Sequence, residues 1–201
     1  MAYEQYLSAG MHIGMKQQTK DMKKFIYKIR EDGLAVFDLQ IIEKRIKLAG
    51  SFLSKYSRIM AVSRKTTGWK PATKFAEIIN GKAVTGRFLP GTITNSSFEG
   101  YYEPEVLLAI DPFVDMQAIK EAVKMRIPVV TLCDTSNETS QIDLVIPLNN
   151  KGRKSIAMVC YLLAKEILKN RGTIKSDEEF KYKPEDFEST MEEPQARAIE
   201  R

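Results

Sequence analysis

The side chains with chemical potential in this 201-residue chain are mostly cationic, and they fall in clusters. From Lys16 to Arg30 six basic residues (Lys16, Lys20, Lys23, Lys24, Lys28, Arg30) stand against Asp21 alone, with Phe25, Ile26, Tyr27 and Ile29 interleaved. Arg64, Lys65, Lys70 and Lys74 surround the single tryptophan, Trp69, with no acidic residue between Ser63 and Ala76. Arg87 sits between Gly86 and Phe88, and Lys151, Arg153 and Lys154 share a short segment with Gly152. Convergent lysines and arginines neutralise phosphates and release counterions, which gives affinity with little base specificity. Trp69 or Phe88 can stack on an unpaired base or pack on the protein. One charge run is most often a solvated face. Several together favour RNA or DNA as the partner.

Catalytic constellations are harder to find. The Gly-x-Gly-x-x-Gly turn of dinucleotide sites is absent, as is the phosphate loop that ends in Lys-Ser/Thr. His12 is the only histidine, and Cys133 and Cys160 lie far apart, so ordinary zinc spacing is not available. Aspartates recur where strands should end: Asp38, Asp111, Asp115, Asp134 and Asp143. Such carboxylates can hold Mg²⁺ for phosphoryl chemistry, and a Mg-dependent enzyme acting on a phosphorylated metabolite is the alternative function they suggest. The plainer reading is that they end strands and cap helices, as Asp115 would before Met116.

The elements that must position these groups follow from periodicity. Val106 to Ile110 is an unbroken apolar run, Ala118, Ile119, Ala122 and Val123 recur at helical spacing, and Val129 to Leu132 is a second apolar run. A buried strand, an amphipathic helix and another buried strand make a βαβ unit and imply a parallel sheet. Leu34 to Phe37 reads as the first strand of that sheet, Gln40 to Lys55 as an amphipathic crossover helix, and Ile59 to Val62 as the next strand. Pro71 is placed to open a helix, Lys82 to Val84 forms a brief strand, and Asp143 to Pro147 an edge-like one. The final helix begins near Ser155. The predicted fold class is α/β, a three-layer sandwich with a mainly parallel sheet (Rossmann-like or flavodoxin-like), in a single domain with extended termini. In an open parallel sheet the loops leaving the strands' carboxyl ends share one edge, so the clusters after Val62 and Val84 should converge there.

Composition divides the chain into three parts: 1–30, an extension with a short helix and the basic segment; 31–171, the α/β domain; and 172–201, an acidic tail predicted to be extended. The tail carries nine acidic and five basic residues, which leaves 26 basic and 17 acidic residues before it and a net charge of +9 there. Cys133 and Cys160 read as buried small hydrophobes, which suits a reducing cytoplasm. No apolar run approaches the roughly 20 residues of a spanning helix, and the N-terminus lacks the pattern of a secretion signal. No cofactor, membrane or small-molecule substrate is expected.

Three ordered blocks carry a resemblance: Tyr6 to Gly14; Gly86-Arg87-Phe88-Leu89-Pro90-Gly91-Thr92-Ile93-Thr94-Asn95; and Pro104 to Pro112 with its sequel through Leu132-Cys133-Asp134-Thr135 and Ile146 to Gly152. Over about residues 4 to 170 the chain resembles the small-subunit ribosomal protein number two family, which is related to the laminin-receptor-like proteins of eukaryotes. The resemblance implies a parallel sheet between helices and a structural, non-catalytic place in the cytoplasm, near the head–body junction of the small ribosomal subunit. Ribosomal RNA and neighbouring ribosomal proteins are the implied partners, and a homo-oligomer is not. The implied RNA-facing residues are His12, Lys16, Lys20, Lys23, Lys24, Arg64, Lys65, Arg87, Asn95, Lys151, Arg153 and Lys154, to which the basic cluster itself adds Trp69 and Lys70. Two departures from bacterial members, the missing coiled-coil insertion and Met15 where they carry a second histidine, resemble the archaeal form.

Overall fold

A computed structural model describes residues 2–174 and 179–189. Its main sheet has five strands, β3 (Ile59–Ser63), β4 (Lys82–Thr85), β5 (Val106–Ala109), β6 (Val129–Cys133) and β7 (Leu144–Pro147), in the order β4-β3-β5-β6-β7. Every pairing is parallel, with Ala61 opposite Leu108 and Leu108 opposite Val130. The first strand of this sheet has its successor on one side and the third strand on the other. That is the flavodoxin-like order, and its switch point lies between β3 and β5.

Alternation along the strands divides the core. Ile59, Ala61, Val106, Leu108, Val130 and Leu132 face the layer of α2 (Leu39–Leu53), α3 (Trp69–Ile79) and α5 (Arg153–Asn170). Met60, Val62, Leu107, Ala109 and Val129 face α4 (Met116–Lys124), where Ala118, Ile119 and Ala122 pack beside Phe88 and Ile93. This second layer therefore has one helix and the long loop after β4. Buried Glu121 holds that loop, accepting from the backbone N–H of Gly91 (3.0 Å) and Ile93 (3.3 Å). The three-layer α/β expectation is met, with one layer richer in helix than the other.

Two strands do not join the main sheet. β2 (Ala35–Phe37) pairs antiparallel with β1 (Ile26–Ile29) in a separate two-stranded sheet, and Ile13 bridges to Val36 on the other side of β2. The apolar run Leu34 to Phe37 marks a strand but not its partner, so its predicted place in the main sheet is corrected. Consequently α2 joins the hairpin to β3 and is no crossover within the sheet. Asp38 caps it, its carboxylate accepting from Gln40 N at 2.8 Å. The hairpin spans the boundary drawn at residue 30. Before it, α1 (Ala2–Ser8) ends ahead of Gly10, whose φ of +68° suits a residue without a side chain.

The described part of the acidic tail carries a 3-10 turn at Pro184–Phe187 and is anchored to the domain at a few points. Phe187 is fully buried and Phe180 nearly so, and both set their rings edge-on to Tyr161 of α5, at centroid distances of 6.0 and 5.3 Å. Ser189 then donates to Thr67 O at 3.3 Å. Low mean apolar content hid these anchors, because two phenylalanines suffice to dock a short segment. The rest of the predicted tail lies outside the described residues.

Candidate nucleic-acid interface

The parallel sheet aligns the loops after β3, β4, β5, β6 and β7 along one rim. Arg64, Lys65, Trp69 and Lys70 follow β3, Arg87 follows β4, and Lys151, Arg153 and Lys154 follow β7 at the start of α5. Arg64, Arg87, Lys151 and Lys154 are exposed, and Lys70 and Arg153 are half-buried.

The N-terminal segment reaches the same rim by crossing the end of β6. Thr135 Oγ1 accepts from Met15 N (2.9 Å) and donates to Gln17 O (3.0 Å), and Thr19 N donates to Thr135 O (2.9 Å). Gly14 makes this approach possible: a Cβ there would lie 2.5 Å from Thr135 Cγ2. Lys16 and Lys20 leave this crossing exposed, the stem of Lys16 running beside Gly33 of the hairpin turn, and the Lys151 ammonium touches Met15 Sδ. Lys23 and Lys24 continue past the rim toward the hairpin, and Lys24 lies over the Phe25 ring at 5.1 Å. Asn95 sits apart, on the loop held by Glu121, where its Oδ1 accepts from Ser97 N.

Under the cations is a buried acidic layer. Asp111, Asp115 and Asp134 are each at most 3 % exposed, at the ends of β5 and β6. Asp111 pairs with the Lys65 ammonium, so Lys65 is an internal partner more than an outward cation. Asp115 accepts from Arg64 N (2.7 Å) and Asp111 N (3.1 Å), which ties the β3 loop to the β5 loop across the switch point. The predicted helix cap is thus corrected: the Asp115 side chain caps nothing in α4 and serves the neighbouring loops instead. Burial, with a smaller push from the Asp111 carboxylate, raises its pKa to about 6 against the hydrogen bonds it accepts. Burial also raises the pKa of Asp134, which accepts from Thr135 N at 2.6 Å. The other two strand-end aspartates lie elsewhere, Asp38 beside the hairpin and Asp143 at the amino end of β7 with Val129 N as its donor. Among the described residues no group of three or more His, Cys, Asp or Glu is arranged to hold a metal.

Two residues outside the sequence-based candidates stand out on the rim. Asn137 Oδ1 accepts from Asp134 N (2.7 Å) and Asn150 Nδ2 (3.0 Å), its Nδ2 reaches Asp111 Oδ1 (3.4 Å), and its carbonyl takes the Thr19 hydroxyl (2.7 Å). One buried amide so links the ends of β5, β6 and β7 with the N-terminal segment. Its sequence context, a polar loop after an apolar strand, named the place but not the role. The second is Phe113, which is 82 % exposed between Pro112 and Val114. Of the two roles open to Trp69 and Phe88, the fold uses packing: Trp69 is half-buried, donates from Nε1 to Arg64 O (3.2 Å) and lies against Gly86, while Phe88 is 7 % exposed within the core.

His12 is away from the rim. It lines an open cleft of about 800 Å³ with Leu7, Tyr27, Arg30, Phe37 and Asp38. Burial first, and then the Arg30 guanidinium, hold its pKa below the ordinary imidazole value, so it is neutral at pH 7. Cys133 and Cys160 are free and buried, and burial raises both thiol pKa values. No helix among the described residues is long and apolar enough to cross a membrane.

Comparison with known proteins gives the family. A family model described as ribosomal protein S2 matches residues 6–99 and 97–170. Proteins named small ribosomal subunit protein uS2 are similar over nearly the whole chain. That of Thermoplasma acidophilum is 47% identical over 190 residues, covering 94% of this chain and 96% of its own. That of Staphylothermus marinus is 49% identical over 187 residues, covering 92% and 85%. That of Picrophilus torridus is 45% identical over 187 residues, covering 92% and 94%. The chain belongs to the ribosomal protein S2 family, with archaeal relatives, and its role is that of a structural ribosomal protein and not an enzyme.

Proposed function

We propose that this chain is fastened into the small ribosomal subunit, near the junction of head and body, by ribosomal RNA gripped along the carboxyl rim of the main sheet. The observation that carries this reading is the convergence of cations from separate loops: Arg64, Lys70 and Arg87 on one flank, and Lys16, Lys20, Lys151, Arg153 and Lys154 on the other. A-form RNA presents phosphates along such a line, and each neutralised phosphate releases counterions. Lys23, Lys24, His12 and Asn95 extend the contact as outlying positions, while Lys65 and Trp69 act by shaping the loops. Neighbouring ribosomal proteins are the second class of partner, supported by the exposed Tyr27 and Ile29 of the hairpin. Assembly of the subunit and translation are the processes served.

The test is binding of the full chain to small-subunit ribosomal RNA transcript across a salt series. The logarithm of the binding constant should fall linearly with log salt, with a slope of about −4 to −6 for roughly six contacts. Replacing Arg64, Arg87 and Lys151 together by Gln should reduce that slope by about 3. Replacing the exposed Lys55, Lys124 and Arg126, which precede β3 and β6 at the opposite edge, should leave it unchanged. An equal effect from both triples would overturn the reading.

A further inference from the structure

The rim has an aromatic side chain at its centre that nothing in the fold uses. Phe113 follows β5, the middle strand, so in strand order it stands between the Arg64–Arg87 flank and the Lys16–Lys151 flank. At 82 % it is the most exposed of the chain's large apolar side chains among the described residues. A lone apolar residue on a surface is ordinary and calls for no explanation. Phe113 differs because its backbone is fixed on both sides. Its own N–H donates to Asp111 Oδ1 (3.0 Å), and that aspartate is held by the Lys65 ammonium and by Asn137. Two residues on, Asp115 is tied to Arg64 N. The ring therefore projects from a rigid turn at the topological switch point, where flavodoxin-like sheets receive ligands. The crevice beneath it is closed by the Lys65–Asp111 pair and the Asp115 bonds, so a ligand must lie on top.

We propose that Phe113 is a stacking platform for an unpaired base of the RNA bound along the rim. The proposal rests on the RNA reading above. An aromatic ring flanked by cations, with the phosphates gripped to either side, is the pattern by which proteins hold single-stranded nucleic acid. The charges would position the backbone, and the ring would take one base whose stacking partner is missing. Recognition of this kind favours unpaired over duplex RNA and tolerates any base, because every base has a π-face. A neighbouring protein inserting an apolar pocket over Phe113 is the competing occupant. The cations on the loops to either side of Phe113 in strand order favour RNA.

The experiment compares a single-stranded oligo(A) RNA with the same strand in an oligo(A)·oligo(U) duplex, using the full chain at one fixed salt. The wild type should prefer the single strand. Phe113→Ala should weaken single-strand binding about tenfold and duplex binding less than about twofold. Phe113→Tyr should restore the preference, and Phe113→Leu should behave like Phe113→Ala. Substitution at so exposed a position leaves folding intact, which circular dichroism verifies. If the wild type bound neither RNA, the RNA reading and this proposal would fall together. If it bound both and Phe113→Ala changed nothing, the platform alone would be refuted. Full retention by Phe113→Leu would also refute it, since an apolar protein pocket would then explain the residue.

Discussion

The described residues form two sheets from strands of similar length and bury them to different extents. In β3, β5 and β6 every residue is buried, and the sheet is covered on both faces. In β1 one residue of four is half-buried and the other three are exposed. The hairpin also carries a bulge between Ile26 and Lys28, so that Tyr27 has no partner in the β2 register. The contrast teaches where stability and recognition separate. The parallel sheet concentrates apolar burial and leaves only its rim for contact, whereas the hairpin packs β2 inward through Ala35 and Phe37 and offers the surface of β1.

The contrast breaks most visibly at the centre of the main sheet. Leu107→Ala removes a side chain of β5 with no exposed surface, and urea unfolding should show a loss of about 2–5 kcal/mol. Next comes the buried acidic layer, which the hairpin lacks. The Asp115 pKa is about 6 when folded against 3.8 for the free side chain. Between those values the folded chain holds a proton that the unfolded chain does not. The contribution of this group is therefore best below about pH 4 and is lost as pH rises through 6, by about 3 kcal/mol in all. Asp115→Asn should flatten that part of the stability–pH curve, and an unchanged curve would mean that the carboxyl is ionised freely in the fold.

A smaller effect tests the join between N-terminal segment and rim. Gly14→Ala sets a methyl group against Thr135 Cγ2 and within 3.2 Å of Ala35 O. Thermal unfolding should register a loss of about 1–3 kcal/mol, and amide exchange at Met15 and Thr19 should accelerate. Smallest of all, Tyr27→Ala in the hairpin should change stability by less than about 0.5 kcal/mol. A cost near that of Leu107→Ala would show that the hairpin is as integral to the core as the main sheet.

The main sheet was legible because strands buried on both faces write themselves as unbroken apolar runs, as Val106 to Ile110 does. The hairpin was half legible. Ala35 to Phe37 spells a strand in either sheet, and nothing in three residues names the neighbour. The cationic rim could be anticipated from the topology alone, since loops after parallel strands must share an edge. What composition could not supply was side-chain partnership. Lys65 and Arg64 look alike in the sequence, yet one faces a buried carboxylate and the other faces solvent. Trp69, for which the sequence leaves stacking and packing both open, packs for the same reason: a stacking aromatic and a packing one differ only in what surrounds them.

The crossing of the N-terminal segment over Thr135 has a consequence for the order in which the molecule can be completed. The two partners are 120 residues apart, so the first cationic stretch to be synthesised has no docking site until the sixth strand exists. At ordinary elongation rates that interval is about ten seconds. Through it, the growing polypeptide presents a bare basic arm, which can fold down only after Thr135 has been made.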